Sequence, residues 1–112
     1  MKLDELIAKH SMLQNVRCGV SIGDGWCNLI DVLCGEIDDH LEHHKDKRDD
    51  FKVAQVKEKF GGLRFYTDGN DEYISGTIAL AESLSYTICE ECGNPGKSNS
   101  EGWIKVRCKE HK

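Results

Sequence analysis

Hydrophobic residues recur at helical spacing in two segments of the first half of the chain. Residues 1–14 are predicted to form a short amphipathic helix, because apolar side chains fall on one face and charged ones on the other. After a loop that contains glycines, Asp24 is a favourable N-cap for a second, longer helix that we expect to end near His44. The apolar stripe of this helix consists of Trp26, Leu29, Ile30, Leu33, Ile37 and Leu41.

The periodicity changes from helical to alternating in segment 51–69, which predicts two β-strands. Gly61 and Gly62 form a favourable two-residue hairpin turn between them. This turn would pair Glu58 with Phe65 and so place the carboxylate on an otherwise apolar face, which conflicts with the pattern. The opposite face carries polar and basic side chains, namely Gln55, Lys57, Lys59, Arg64 and Tyr66.

A third helix is predicted after the hairpin, capped by Asn70 or Asp71 and ending near Tyr86. An isolated two-stranded hairpin is marginal in water, so we expect the second and third helices to pack on it. A third strand around Val20 and Ile22 is a further expectation for the sheet. The apolar stripe of the third helix consists of Ile74, Ile78, Ala81, Leu84 and Ile88.

Composition limits the size of the molecule and the kind of partner it can have. A chain of 112 residues has room for one domain, or for one domain and a small appended module. The net charge of -5 argues against broad non-specific binding of nucleic acid. We see neither a membrane-spanning apolar run nor a secretory signal in this sequence, and therefore expect a cytoplasmic protein. In that compartment its six cysteines are expected to be thiols or metal-bound thiolates.

The C-terminal segment contains the one strong chemical pattern. Cys89 and Cys92 are spaced C-x2-C, and Cys108 and His111 are spaced C-x2-H after fifteen intervening residues. Three thiolates and one imidazole are a tetrahedral ligand set that zinc prefers. Because four protein ligands leave no open coordination position, we expect one structural Zn²⁺ rather than a catalytic one.

Two other interpretations of the C-x2-C pair remain open. A disulfide between Cys89 and Cys92 would leave Cys108 free and does not fit a reducing compartment. A redox motif would need a helix start in a βαβ setting, and the intervening Glu90 and Glu91 would raise the thiol pKa values. Zinc binding remains the leading hypothesis.

Other candidate features also have simpler interpretations. His40, His43 and His44 have a spacing that could bind a second metal, or they end a charged, solvated helix. Cys34 lies beside the apolar stripe of the second helix and is expected to be a small core residue. No catalytic motif is evident, and a chain this small has little room for a pocket, so we do not expect an enzyme.

The predicted hairpin face is the candidate partner-binding surface. It gathers Lys57, Lys59, Arg64 and Tyr66, the clearest basic patch that includes an aromatic ring. Such a face can contact RNA or single-stranded DNA through phosphate pairing and base stacking. It can equally contact an acidic protein surface, or it can be the solvated side of the hairpin.

Four segments together resemble small proteins of unestablished activity found in phages and prophages. They are GWCNLIDVLC, VKEKFGGLRFY, AESLSYTICEECG and GWIKVRCKEH, and the resemblance covers residues 24 to 111. It implies an intracellular protein of mobile-element origin that acts on a host or defence component.

The sequence therefore predicts an α+β fold with two N-terminal helices, a β-hairpin, a third helix and a C-terminal zinc ribbon. Residues 1–87 would form a small α+β domain, and residues 88–112 a zinc-ribbon module packed on it. The leading functional hypothesis is a zinc-stabilised inhibitor or regulator that binds another protein. The alternative is a regulator that binds nucleic acid through the ribbon and the basic hairpin face.

Overall fold

The computed structural model describes residues 1–99 and 102–112, so Ser100 and Glu101 of the predicted ribbon lie outside the described residues. The fold is mixed α+β, as the sequence predicts. Its elements are α1 (Leu3–Lys9), β1 (Val20–Ser21), α2 (Cys27–Glu42), β2 (Lys52–Lys59), β3 (Gly62–Asp68), α3 (Glu72–Ser85), β4 (Lys97–Ser98) and β5 (Val106–Arg107). Among these residues, no helix combines the length and the apolar character needed to cross a bilayer.

Both N-terminal helices are shorter than the sequence predicts. The backbone is extended at His10, so α1 ends there and a single 3-10 turn follows. A second 3-10 turn, Asp24–Trp26, precedes α2, which ends at Glu42. The predicted N-cap is wrong, because the Asp24 carboxylate accepts a hydrogen bond of 3.0 Å from the Leu3 backbone N–H. Asp24 therefore joins the starts of the first two helices.

The three-stranded sheet has the order β1-β2-β3, with β1 parallel and β3 antiparallel to β2. The predicted strand around Val20 is thus confirmed as β1. The predicted hairpin turn is wrong, because Lys59 pairs with Gly62 and leaves Phe60 and Gly61 as the loop. Both loop residues have positive φ angles, 53° and 86°, which suit the right-handed twist of a tight hairpin.

The corrected turn shifts the pairing of β2 and β3 by two residues. Glu58 lies opposite Leu63 rather than Phe65. Because side chains alternate with a period of two, this shift leaves every side chain that remains in the strands on its predicted face. Glu58 does lie on the apolar side, and its carboxylate accepts a hydrogen bond of 2.6 Å from the Gly61 backbone N–H. The apparent conflict in the sequence is therefore a cap for the turn.

The outer edge of β3 is covered by side chains of α3. The backbone N–H of Leu63 donates to Ser85 Oγ at 2.9 Å, and that of Phe65 donates to Glu82 Oε2 at 2.8 Å. Ser85 is fully buried, whereas the predicted core residue Leu84 is exposed. Satisfying the donors of an edge strand in this way protects it against pairing with another chain.

One hydrophobic core joins α1, α2, the sheet and α3. Its fully buried side chains include most of the predicted stripe of α2, with Cys27 and Cys34 among them. Burial raises the pKa of the Cys34 thiol to about 12, so this cysteine remains a neutral core residue as expected. The largest fully buried side chains outside β5 are Trp26, Leu6, Leu13, Ile30, Ile37, Leu41, Leu63, Ile74 and Val56.

Trp26 is predicted to contribute strongly to stability, because it is fully buried and its Nε1–H donates to the Ile88 carbonyl at 2.9 Å. Trp26→Ala should lower the free energy of unfolding by about 3–5 kcal/mol. Trp26→Phe should cost less, since it keeps most of the apolar contact and loses the hydrogen bond. Urea unfolding followed by circular dichroism measures both changes. Equal stability of Trp26→Ala and the wild type would contradict this placement.

Asp71 is predicted to give α3 a pH-dependent anchor. Hydrogen bonds from Lys47, the Ile74 backbone N–H and His40 hold the pKa of its carboxyl well below the usual range. The stability that this carboxylate contributes is therefore fully present above the ordinary aspartate pKa of about 3.9 and is lost as the pH falls below it.

Asp71→Asn, which keeps a capping oxygen, should destabilise the chain at neutral pH by less than Asp71→Ala. The difference between wild type and Asp71→Asn should shrink when urea titrations are repeated near pH 3. A difference that is constant with pH would show that the ion pairs contribute nothing.

Candidate metal centre

Four potential metal ligands meet in the C-terminal module, by which we mean the described part of residues 88–112. Cys89 and Cys92 lie in the turn that follows α3, and Cys108 and His111 lie after β5. One ligand atom from each of the four residues lies within 4.8 Å of every other. Among residues 1–99 and 102–112, this is the one such group of three or more His, Cys, Asp or Glu residues.

The distances between these atoms fit a tetrahedron around a single ion. Cys92 Sγ lies 3.6 Å from Cys108 Sγ, and His111 Nδ1 lies 3.2 Å from Cys108 Sγ and 3.8 Å from Cys89 Sγ. A tetrahedron with metal–sulfur bonds of 2.3 Å has sulfur–sulfur edges of about 3.8 Å. The donor set and its spacing are therefore compatible with a metal site.

All six cysteines are free in the structure. The 3.6 Å between the sulfurs of Cys92 and Cys108 is far longer than the roughly 2 Å of a disulfide bond. These two sulfurs thus stand at the separation of two ligands of one ion. The predicted alternative, a disulfide between Cys89 and Cys92, receives no support because both cysteines are free.

Backbone hydrogen bonds shape the loop that carries the first two cysteines. The Cys89 N–H donates to the Asn94 carbonyl at 2.8 Å, and the Gly93 N–H donates to the Cys89 carbonyl at 2.9 Å. The Glu90 N–H donates to the Val106 carbonyl at 3.1 Å, which ties this loop to β5. The second ligand pair is thereby brought beside the first.

The strand before the second ligand pair is short. Only Val106 and Arg107 form β5, which pairs with β4, whereas Trp103 and Ile104 precede it and are exposed. Val106 alone of the three apolar residues is fully buried. The strand extends only as far as its partner, the two-residue β4.

The surroundings of the thiols affect their ionisation in different ways. Burial alone would raise the pKa of Cys89, but backbone N–H groups of Cys108, Cys92 and Glu91 outweigh it and lower the pKa to about 6. A hydrogen bond from His111 lowers the pKa of Cys108. A backbone hydrogen bond from Asn94 lowers the pKa of Cys92, but burial and the neighbouring thiols of Cys108 and Cys89 outweigh it and raise the pKa. The thiolate form that a metal ligand requires is therefore favoured at Cys89 and Cys108.

Glu90 has a structural role that the sequence analysis missed. The expectation that Glu90 and Glu91 raise the neighbouring thiol pKa values is wrong for Cys89. The Glu90 carboxylate accepts from the Gly23 backbone N–H at 2.9 Å, and its carbonyl accepts from the Gly25 N–H at 2.7 Å. These bonds attach the module to the loop before α2.

Gly25 permits the close approach of this loop to the module. A Cβ atom at position 25 would lie 2.1 Å from the Cys89 carbonyl oxygen, a distance that no side chain can adopt. The neighbouring Trp26 donates its indole N–H to the Ile88 carbonyl. No local sequence pattern predicts this docking, because it joins residues more than sixty positions apart.

The three histidines near the end of α2 do not form a second cluster in the structure. His40 Nε2 lies 2.7 Å from Asp71 Oδ2, and its ring stacks on His44 and Tyr73. The Nδ1 atoms of His43 and His44 lie 2.8 and 2.9 Å from backbone carbonyls of the preceding helical turn. This arrangement favours the simpler interpretation of a hydrogen-bonded helix end.

The four predicted partner-binding residues share one face of the hairpin. Lys57 lies directly opposite Arg64, and Tyr66 lies opposite Gln55. Lys59 and Tyr66 are exposed, whereas Lys57 and Arg64 are partly covered. The Arg64 guanidinium donates to the hydroxyl of Tyr86, which reduces its freedom to contact a partner.

Two exposed aromatic residues were not predicted as surface features. Phe60 lies in the hairpin turn with 68% of its surface exposed. Trp103, which precedes β5, is 82% exposed. Together with Ile104 they line one concavity between the hairpin turn and the module. A glycine at the second position of a two-residue turn, as in Phe60-Gly61, is the sequence signal that would have identified Phe60 as a loop residue.

Comparisons with protein-family models, with curated proteins and with solved structures give no match for this chain.

Proposed function

We propose that the chain is a zinc-stabilised binding protein that recognises another protein and acts as its inhibitor or regulator. The observation that carries the proposal is the cluster of three thiols and one imidazole at tetrahedral spacing. Zinc favours sulfur and nitrogen ligands in this geometry, whereas magnesium and calcium favour oxygen.

The proposed zinc is structural. Four protein ligands complete the coordination sphere and leave no position for a water or substrate. The module is too short to bury a large core, so ion binding is a plausible source of its folding free energy. Because the proposed zinc serves folding, the function has to be assigned to another part of the molecule. We assign it to recognition of a partner at the protein surface.

The hairpin face is the proposed contact with the partner protein. Lys57, Lys59 and Tyr66 lie on two hydrogen-bonded strands, which hold them in a fixed arrangement. Basic and tyrosine side chains on a rigid surface suit an acidic partner, with electrostatic steering and an aromatic contact. The resemblance to phage and prophage proteins supports a host or defence protein as the partner, in the cytoplasm of the host cell.

Metal analysis tests the zinc proposal. The purified chain should contain about one zinc per protomer, and X-ray absorption should show three sulfur ligands and one nitrogen ligand. Cys92→Ser should lose the zinc and destabilise the module, whereas Cys18→Ser, at an exposed cysteine outside the cluster, should retain it. Chain that is never exposed to chelator and contains no zinc would contradict the proposal.

Affinity capture from host lysate tests the protein contact. Lys57→Glu combined with Lys59→Glu should remove a specific captured protein, because both charges on the face are reversed. Lys2→Glu combined with Lys45→Glu changes the net charge equally at exposed positions elsewhere and should retain it. Both variants should keep wild-type circular dichroism, since substitutions at surface positions usually shift stability by less than about 0.5 kcal/mol each. Capture that is unaffected by the hairpin variant would exclude this face.

A further inference from the structure

Trp103 has the largest exposed fraction of all large hydrophobic side chains among the described residues, at 82%. Its backbone is nevertheless anchored. The Asn99 side chain donates to the Trp103 carbonyl at 2.8 Å and accepts from the Lys105 N–H at 2.8 Å. The loop therefore holds an indole ring in water, where it contributes little to folding.

Basic side chains line a concave surface that Asn99 and Lys105 of this loop border, whereas Trp103 lines the neighbouring concavity with Phe60 and Ile104. Lys97 lies in β4, Lys105 lies in the loop before β5, and Lys109 and Lys112 follow β5. Arg107 also lines the concave surface. No carboxylate from the part of the chain that the structure describes lines it.

Lys97, Lys105, Lys109 and Lys112 differ in their ion pairs from four lysines that lie in or next to helical turns. Lys2, Lys9, Lys45 and Lys47 each form an ion pair with a carboxylate. Within residues 1–99 and 102–112, the ion pairs include none of the four module lysines. Arg107, in contrast, lies 3.5 Å from carboxylate oxygens of both Glu90 and Glu91. The module therefore has four lysines without an ion pair among the described residues, in a chain of net charge -5.

An exposed ring on a loop that also borders a group of lysines without ion pairs matches the requirements of an unpaired nucleic-acid strand. Every base has a face that can stack on an aromatic ring, and ammonium groups can follow the phosphates. A duplex fits less well, because its bases are already stacked on one another. An acidic peptide matches the lysines, but it does not account for an indole ring held open to solvent.

We propose that the C-terminal module binds single-stranded nucleic acid, with a base stacked on Trp103 and phosphates on the lysines of the adjacent concavity. The site uses other residues than the protein contact proposed for the hairpin face, and it adjoins that contact because Lys57 and Lys59 line the same concavity as Trp103. The overall negative charge makes long-range attraction weak, so the affinity comes from contacts at the module itself. The surface is predicted to be tolerant of sequence, because stacking and phosphate pairing do not read base edges.

Fluorescence anisotropy with labelled oligo(dT) and oligo(U) of about 20 nucleotides tests the proposal on the zinc-loaded full chain. Trp103→Ala should weaken binding about tenfold, and Trp103→Phe should restore most of the loss. Leu80→Ala, at another exposed apolar residue, should have no effect. Binding that is unchanged in Trp103→Ala would overturn the stacking role.

The salt dependence tests the phosphate contacts. Four lysine–phosphate contacts give a slope of log K against log salt of about -2.8, or about a 50-fold loss between about 50 and 200 mM salt. Lys97→Gln combined with Lys105→Gln should reduce the slope to about -1.4. The matched pair Lys2→Gln and Lys45→Gln changes the net charge equally and should leave the slope unchanged. An equal effect of the two pairs would show that only the net charge matters and would overturn the proposed site.

Two further results would overturn the assignment to single strands. One is a failure of both oligonucleotides to bind at about 50 mM salt when zinc content and circular dichroism are normal. The other is competition by poly-glutamate of matched charge that equals competition by unlabelled oligo(dT), which would identify an acidic protein segment as the better ligand. Preferential binding of a duplex would likewise exclude stacking on Trp103.

Discussion

The contact between the start of α2 and the turn that carries Cys89 connects the two parts of this molecule. The Gly25 N–H donates to the Glu90 carbonyl, and the Trp26 indole donates to the Ile88 carbonyl. Because Trp26 is also fully buried in the core, one side chain belongs to both the core and the docking contact. The position of the four ligands therefore depends on the packing of the helices and the sheet.

This contact makes the module an extension of the core rather than an independent unit. Cys89 and Val106 are fully buried although the module is small. Trp26 and the loop before α2 supply the cover that the module cannot provide for itself. An ion bound by the four ligands would stabilise the folded turn, and the shared contacts would transmit part of that free energy to α2. Loss of the ion would in turn weaken the packing of the module against Trp26 at the edge of the core.

The features predicted correctly are those that local sequence determines. Amphipathic periodicity predicts helices, and C-x2-C followed by C-x2-H predicts a cluster, because each pattern joins residues that are close along the chain. Gly25 and Glu90 could not be predicted, since their roles depend on a contact across more than sixty residues. The prediction of Gly61-Gly62 as the hairpin turn, in place of Phe60-Gly61, failed for another reason. A left-handed Phe60 is rare, and its conformation is accepted because Glu58 caps the turn.

The arrangement of exposed rings fits the recognition that we propose at the end of the molecule that contains the ligands. The hairpin runs from the Lys52–Asp68 pair at one end to the Lys59–Gly62 pair at the other. At the first end, Lys47 is paired with Asp71, but Lys52 has no ion pair within the residues that the structure describes. At the second end, the exposed rings of Phe60 and Trp103 lie beside Lys57 and Lys59, which have none among the described residues either. The two most exposed aromatic rings of the described residues, rather than unpaired cations, therefore distinguish the end at which we propose the partner contacts.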